Sequence, residues 1–315
     1  MTLRFYVIDA FAAEPFSGNP AAVVLDARGL SDQRMQAMAS EFNLSETAFV
    51  FPLLENGGDP QQKHSSEERP AYNIRWFTPT AEVDMCGHAT IAAVHALVET
   101  GQLPIPDDAD STAVHLDTRS GVLTAFVESV KASHRPMLWL DLVDPTLRPL
   151  NLAVSDLTAV LRIPADAVED SLPIVRTQDG DAIMFVRSFG ALHQAQPRFD
   201  ALAELLRVHD LRGLCVSTVA TLTPSMNVQS RFFAPGVGVN EDPVTGSVHG
   251  PLAAYLVGHD LVGIHDGLAA VTCTQGLPGG RTGILYVLAQ PKFNGVCSVR
   301  IGGHALTTMR GDLIV

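Results

Sequence analysis

Two stretches decide how this chain reads: Arg75 to Thr100, RWFTPTAEVDMCGHATIAAVHALVET, and Arg231 to His259, RFFAPGVGVNEDPVTGSVHGPLAAYLVGH. Each opens with Arg, an aromatic residue, Phe, a small residue and Pro. Each then reaches a glycine shortly after an acidic residue (Gly87, Gly246) and runs into an apolar segment closing on Leu and Val. Arg231 follows Arg75 by 156 residues and Gly246 follows Gly87 by 159, both about half of the 315-residue chain. Spacing of this kind marks an internal repeat.

The RWF and RFF runs are aromatic and strand-prone, and the Pro and Gly positions turn the chain. From Ala89 to Val98 only Thr90 and His95 are polar, so this helix has no face for water and must be surrounded by protein. Strand-like segments flank both copies, among them LRFYVIDAF, AAVVL, ETAFVF and MLWLDLV, then AIMFVRSF, GLCVSTVA, AAVTCTQ and GILYVLA. Helical periodicity appears from Ser31 to Phe42, with Ser31 able to cap, and from Arg198 to Leu211. The fold class expected is α+β: two duplicated domains, residues 1–125 and 126–315, each a mixed or antiparallel barrel-like sheet around a central buried helix. The C-terminal residues are expected to pack back on the first domain, and the linker to lie between Thr118 and Pro136. Pro251 is comfortable only in a first turn, so the second helix is expected to start near His249. The polar run from Glu55 to Pro70 reads as an exposed loop, and Gly302 and Gly303 as turn or bulge glycines.

Working outward, 21 Lys plus Arg against 34 Asp plus Glu give a formal charge of −13, which disfavours nucleic acid and anionic membranes as partners. With 46% hydrophobic and 17% charged residues the composition is that of a packed globule. The N-terminal MTLRFYVIDAF reads as a strand, not a cleavable leader, so the expected location is cytoplasmic. Cys86, Cys215, Cys273 and Cys297 form no CxxC pair, and no P-loop, GxGxxG, GxSxG or HExxH motif occurs. Neither a metal nor a cofactor is expected.

Two buried helices starting at glycines offer backbone N–H groups and positive dipole ends. If both face a common cleft between the halves, they hold a carboxylate despite the acidic net charge. The residues expected to line such a cleft are Cys86, Gly87 and His88 from one half and Asp242, Thr245, Gly246 and Ser247 from the other, with Asn19 reaching in from a turn.

Five motifs, DAFAAEPFSGNPAAVV (Asp9 to Val24), NLSETAF (Asn43 to Phe49), the two repeat stretches and QG…GGRTG (Gln275 to Gly283), resemble the PhzF family of phenazine-biosynthesis isomerases. The resemblance implies the duplicated fold shared with diaminopimelate epimerase, its halves related by a pseudo-twofold axis, and cofactor-independent proton transfer. It implies that Glu46 of the SET motif is the proton shuttle, and that His88, Asp242 and Ser247 hold or polarise the substrate. The residue chemistry agrees, because one carboxylate that accepts and returns a proton suffices to move it between carbons. MCGH is similar to the first-half motif of proline racemases, but Thr245 stands where a second thiol would be needed, so symmetric two-thiol racemisation is disfavoured. The expected function is therefore isomerisation of a small carboxylate-bearing metabolite. The alternatives are a Cys86-dependent racemase, epimerase or dehydratase and a non-catalytic small-ligand binder. A homodimer is the default oligomeric expectation.

Overall fold

A computed structural model describes residues 2–53, 72–106, 110–128, 135–292 and 297–314; the run from Glu55 to Pro70 lies outside them. By its contacts the chain divides into two units, one made of Met1–Phe16, Pro20–Asp141 and Gly302–Val315, the other of Ser17–Asn19 and Leu142–Ile301.

In the first unit, the segment Ala21 to Val24 pairs in parallel with the strand Glu46–Pro52, joined by the helix Asp32–Phe42, which Ser31 caps through a bond from the Arg34 N–H. Tyr72–Phe77 pairs antiparallel with Glu46–Pro52, turns into the short strand Glu82–Val83, and after the helix Gly87–Glu99 is joined in parallel by Ser111–Thr118. Thr2–Ala10 pairs antiparallel with the C-terminal strand Ala305–Ile314. The second unit runs through its own parallel pair, Asp181–Phe185 with Gly213–Thr218, connected in part by the helix Phe199–Val208. Antiparallel Val228–Ala234, short Val239–Asp242, the helix Gly246–Gly258 and parallel Ala269–Gln275 follow, and Gly283–Pro291 closes a hairpin.

The arginine of each opening motif has a structural job. Arg75 donates twice to Glu82, at 2.7 and 2.8 Å, and lies 5.2 Å from the Phe77 ring centre. Arg231 does the same with Glu241, at 2.7 and 2.9 Å, and lies 4.8 Å from Phe233. Each guanidinium thus staples the short return strand to its parent, and stacking on an aromatic face suits Arg and not Lys.

Both apolar helices are buried. In Gly87–Glu99 four alanines, Ala89, Ala92, Ala93 and Ala96, keep one helix slim while Ile91, Val94 and Leu97 fill the core. Each of those three larger side chains is worth about 1.5–3 kcal/mol of apolar burial. Three expectations need correction. The second helix starts at Gly246, not near His249, so Pro251 lies inside it. The early turn is held instead by side chains: His249 Nδ1 donates to the Thr245 carbonyl at 2.7 Å, and the Thr245 N–H donates to Gln275 Oε1 at 2.9 Å. The stretch expected as linker carries the strand Gly121–Glu128, paired with both Ser111–Thr118 and Met137–Asp141. Its turn is set by Thr118, whose Oγ1 accepts from the Ser120 N–H, and by Gly121 at φ +107°. Residues 125 and 126 therefore sit within a strand. Gly302 also lies in a strand, where a Cβ would fall 2.2 Å from the Trp139 ring.

Candidate active site

Glu46 is the first residue of its strand, entering it beside Ala21. Cys86 caps the buried helix Gly87–Glu99 with extended backbone (φ −146°), and its carbonyl accepts from the Thr90 hydroxyl at 2.6 Å. That geometry brings the His88 ring between two other side chains. Nδ1 lies 3.4 Å from Cys86 Sγ, and Nε2 lies 3.2 Å from Glu46 Oε2. Burial pushes the His88 pKa down to about 4, so the imidazole is neutral at physiological pH, with one nitrogen protonated and one able to accept. Glu46 keeps 19% side-chain exposure and so stays reachable by a small molecule. Glu46, Cys86 and His88 also bring one ligand atom each within 4.8 Å of the others, a donor set that suits zinc. In the observed rotamer the two imidazole nitrogens face different partners, so a metal would have to break one of these contacts.

The second unit builds a different site on a similar frame. Asp242 closes the strand Val239–Asp242 and accepts from Asn19 Nδ2 at 2.9 Å and from Thr245 Oγ1 at 2.5 Å. Gln275 Nε2 donates to the Asp242 carbonyl at 2.7 Å and to Thr245 Oγ1 at 3.1 Å. Burial lifts the Asp242 carboxyl to about 6, with the bonds from Thr245 and Asn19 pulling against the rise. Asn19 is set by its loop: the Gly18 N–H donates to the Thr282 carbonyl at 2.7 Å, and Arg281 donates to the carbonyls of Ser17 and Gly18 at 2.7 and 3.0 Å. Ser247, one residue into the helix, accepts from Arg212 at 3.0 Å. Arg212 is in turn clamped twice by Asp181, a carboxylate buried to 1% side-chain exposure.

Strand register shows what replaces Glu46 in the second unit. Glu46 precedes Thr47, which faces Phe77, the last aromatic residue of RWF. Gly213 precedes Leu214, which faces Phe233, the last of RFF. The second unit therefore has glycine at the register position of the carboxylate, and the space is taken, because a Cβ on Gly213 would lie 2.3 Å from the Phe232 ring. Thr245 likewise caps its helix where Cys86 caps the other.

Of the residues expected from the sequence, Glu46, Cys86 and His88 gather beside Gly87, and Asn19, Asp242 and Thr245 gather beside Gly246. Ser247 engages Arg212 and not the Asp242 cluster. Sequence reasoning misses Gln275, Arg212, Asp181 and Arg281. A charged Asp181 opening the apolar run DAIMF is the one sequence signal for the buried ion pair.

No helix among the described residues is long and apolar enough to cross a membrane. The sequence matches the phenazine biosynthesis-like protein family (PhzC-PhzF) over residues 8–311. It is 36% identical over 317 residues to an uncharacterized isomerase of Halalkalibacterium halodurans, covering all of both chains. It is 30% identical over 315 residues to trans-2,3-dihydro-3-hydroxyanthranilate isomerase of Pseudomonas fluorescens, covering 99% of each. A crystal structure of a PhzF-family phenazine biosynthesis protein from Bacillus anthracis superposes with a TM-score of 0.85 at 23% identity over the whole of both chains, which fixes the likeness of fold. The chain belongs to the phenazine biosynthesis-like family, and it is an isomerase.

Proposed function

We propose that the chain moves a proton between carbons of a small carboxylate-bearing metabolite, with Glu46 as the group that takes and returns it and without a cofactor. The observation that carries this reading is the Glu46–His88 contact: a reachable carboxylate 3.2 Å from an imidazole that burial keeps neutral. The two atoms stand within reach without being aligned as a hydrogen bond, and a small rotation of either side chain would let a neutral imidazole donate to Glu46 when the acid is ionised and accept from it when it is protonated. A relative named for isomerising a hydroxyanthranilate, itself a carboxylate, supports the substrate class. In the first unit His88 is assigned to holding Glu46 for the transfer, beside Gly87 and Cys86; in the second unit Asp242 is assigned to polarising a ligand, beside Ser247, Thr245, Asn19 and Gly246. The shared order of parallel and antiparallel pairings supports reading the two units as copies of one ancestral unit, of which only the first kept a carboxylate at the shuttle position.

A metabolite screen in heavy water tests this. Deuterium should enter one small carboxylate with the wild-type protein and not with Glu46→Gln. Undiminished exchange by the Gln variant removes Glu46 from the role.

A further inference from the structure

His88 does more than face Glu46, because its other nitrogen faces a thiol. A neutral imidazole has a single N–H, whereas a thiol can both donate and accept. When Glu46 is ionised, the tautomer with its proton on Nε2, 3.2 Å from Oε2, is favoured, and Nδ1 can accept from the Cys86 S–H. When Glu46 carries a proton, its O–H donates to Nε2, the ring proton sits on Nδ1, and sulfur accepts. Each change at Glu46 therefore calls for a matching change at Cys86, 3.4 Å from the far side of the ring. The second unit offers an independent parallel. There the helix-capping side chain, Thr245, bonds the acid Asp242 directly at 2.5 Å. In the first unit the capping side chain makes no bond to the helix N–H groups it precedes.

We propose that Cys86, His88 and Glu46 act as one thiol–imidazole–carboxylate relay, in which Cys86 is the positioning and proton-holding partner of Glu46. Its catalytic meaning rests on Glu46 being the shuttle; the coupling itself does not. The step balances without any other reactant: the S–H proton passes to Nδ1 while the Nε2 proton passes to Oε2. Thiol plus carboxylate become thiolate plus carboxylic acid, and the net charge stays −1. Other acids on the packed elements are engaged elsewhere. Asp9, on the strand Thr2–Ala10, accepts from the Phe16 N–H at 2.8 Å, and Glu99 lies 3.7 Å from His95 at the far end of the helix.

The test reads the thiol, not turnover. Alkylation of Cys86 by iodoacetamide at fixed pH is followed by mass spectrometry in the wild type, Glu46→Gln, His88→Asn and the double variant, with Cys297, equally buried, as internal control. Losing the distant carboxylate should slow Cys86 about tenfold, because the imidazole accepts the thiol proton less readily without it. His88→Asn should slow it at least as much, and the double variant no further, with Cys297 unchanged. Unaltered or faster alkylation of Cys86 in Glu46→Gln, or additive effects in the double variant, overturns the relay. Loss of deuterium exchange in Glu46→Gln together with unchanged alkylation would sink the relay and leave the shuttle standing; the reverse pattern would do the opposite.

Discussion

Replacing Asp242 by Asn tests the electrostatics of the second unit most directly. Burial lifts this carboxyl to about 6 in the folded protein, against about 3.9 in an unfolded chain. Between about pH 4 and 6 the native state therefore holds a proton that the unfolded state has lost. A group whose folded pKa is raised contributes its full stability below the unfolded value and loses it as pH rises through the folded one. A shift of about 2 units corresponds to about 3 kcal/mol, an upper bound because Asp242 keeps some contact with solvent. The amide introduced by Asp242→Asn cannot titrate, yet its oxygen can still accept from Asn19 and its nitrogen can donate to Thr245. The stability of Asp242→Asn relative to wild type should thus rise with pH from about 4 to 7, by up to about 3 kcal/mol and at no more than about 1.4 kcal/mol per pH unit. Urea unfolding followed by far-UV circular dichroism measures it; fluorescence would not, since both tryptophans, Trp76 and Trp139, lie in the first unit. Two curves that stay parallel across this window would refute the argument, because every other titrating group cancels in the difference.

Two further outcomes follow from the same unit. Arg212→Ala leaves Asp181 as a buried carboxylate without its guanidinium, which should cost about 3–5 kcal/mol at neutral pH and less at acidic pH, where Asp181 can take a proton; a pH-independent loss in urea midpoint would contradict this. Gly213→Ala places a Cβ 2.3 Å from the Phe232 ring and should cost about 1–3 kcal/mol, recovered in part by Phe232→Leu in the same chain; a single variant as stable as wild type would show that the ring yields freely.

The sequence exposes those parts of the fold whose cause is local. The apolar run from Ala89 to Val98 has no face for water, Ser31 stands where a helix needs an acceptor, and RWF and RFF carry strand residues between turn formers. What it hides depends on partners far apart along the chain. Pro251 argues for a late helix start only until Gln275 and His249 are seen holding the first turn. The hairpin through Thr118 and Gly121 is easily taken for a linker, although VHLDT alternates before it and VLTAFV is rich in strand formers after it. At the candidate site, residue types and motif order point to Glu46, His88 and Asp242. The Asp181–Arg212–Ser247 chain is not readable, because its members come together only through the pairing of Asp181 with Gly213 and the placement of the helix start. That no carboxylate stands at the matching register position of the second unit is equally hidden, since Gly213 means little until its register is known.

That register also limits how the chain can change. Every glycine codon lies one nucleotide from a glutamate or an aspartate codon, so a second carboxylate at position 213 looks close by genetics. Sterically it is remote: the Phe232 ring stands where the first side-chain atom would go, and shrinking the ring beforehand opens a hole with nothing to fill it. Neither single step is neutral, and the favourable pair requires both at once. The difference between the two units at this position is therefore held in place by one aromatic ring.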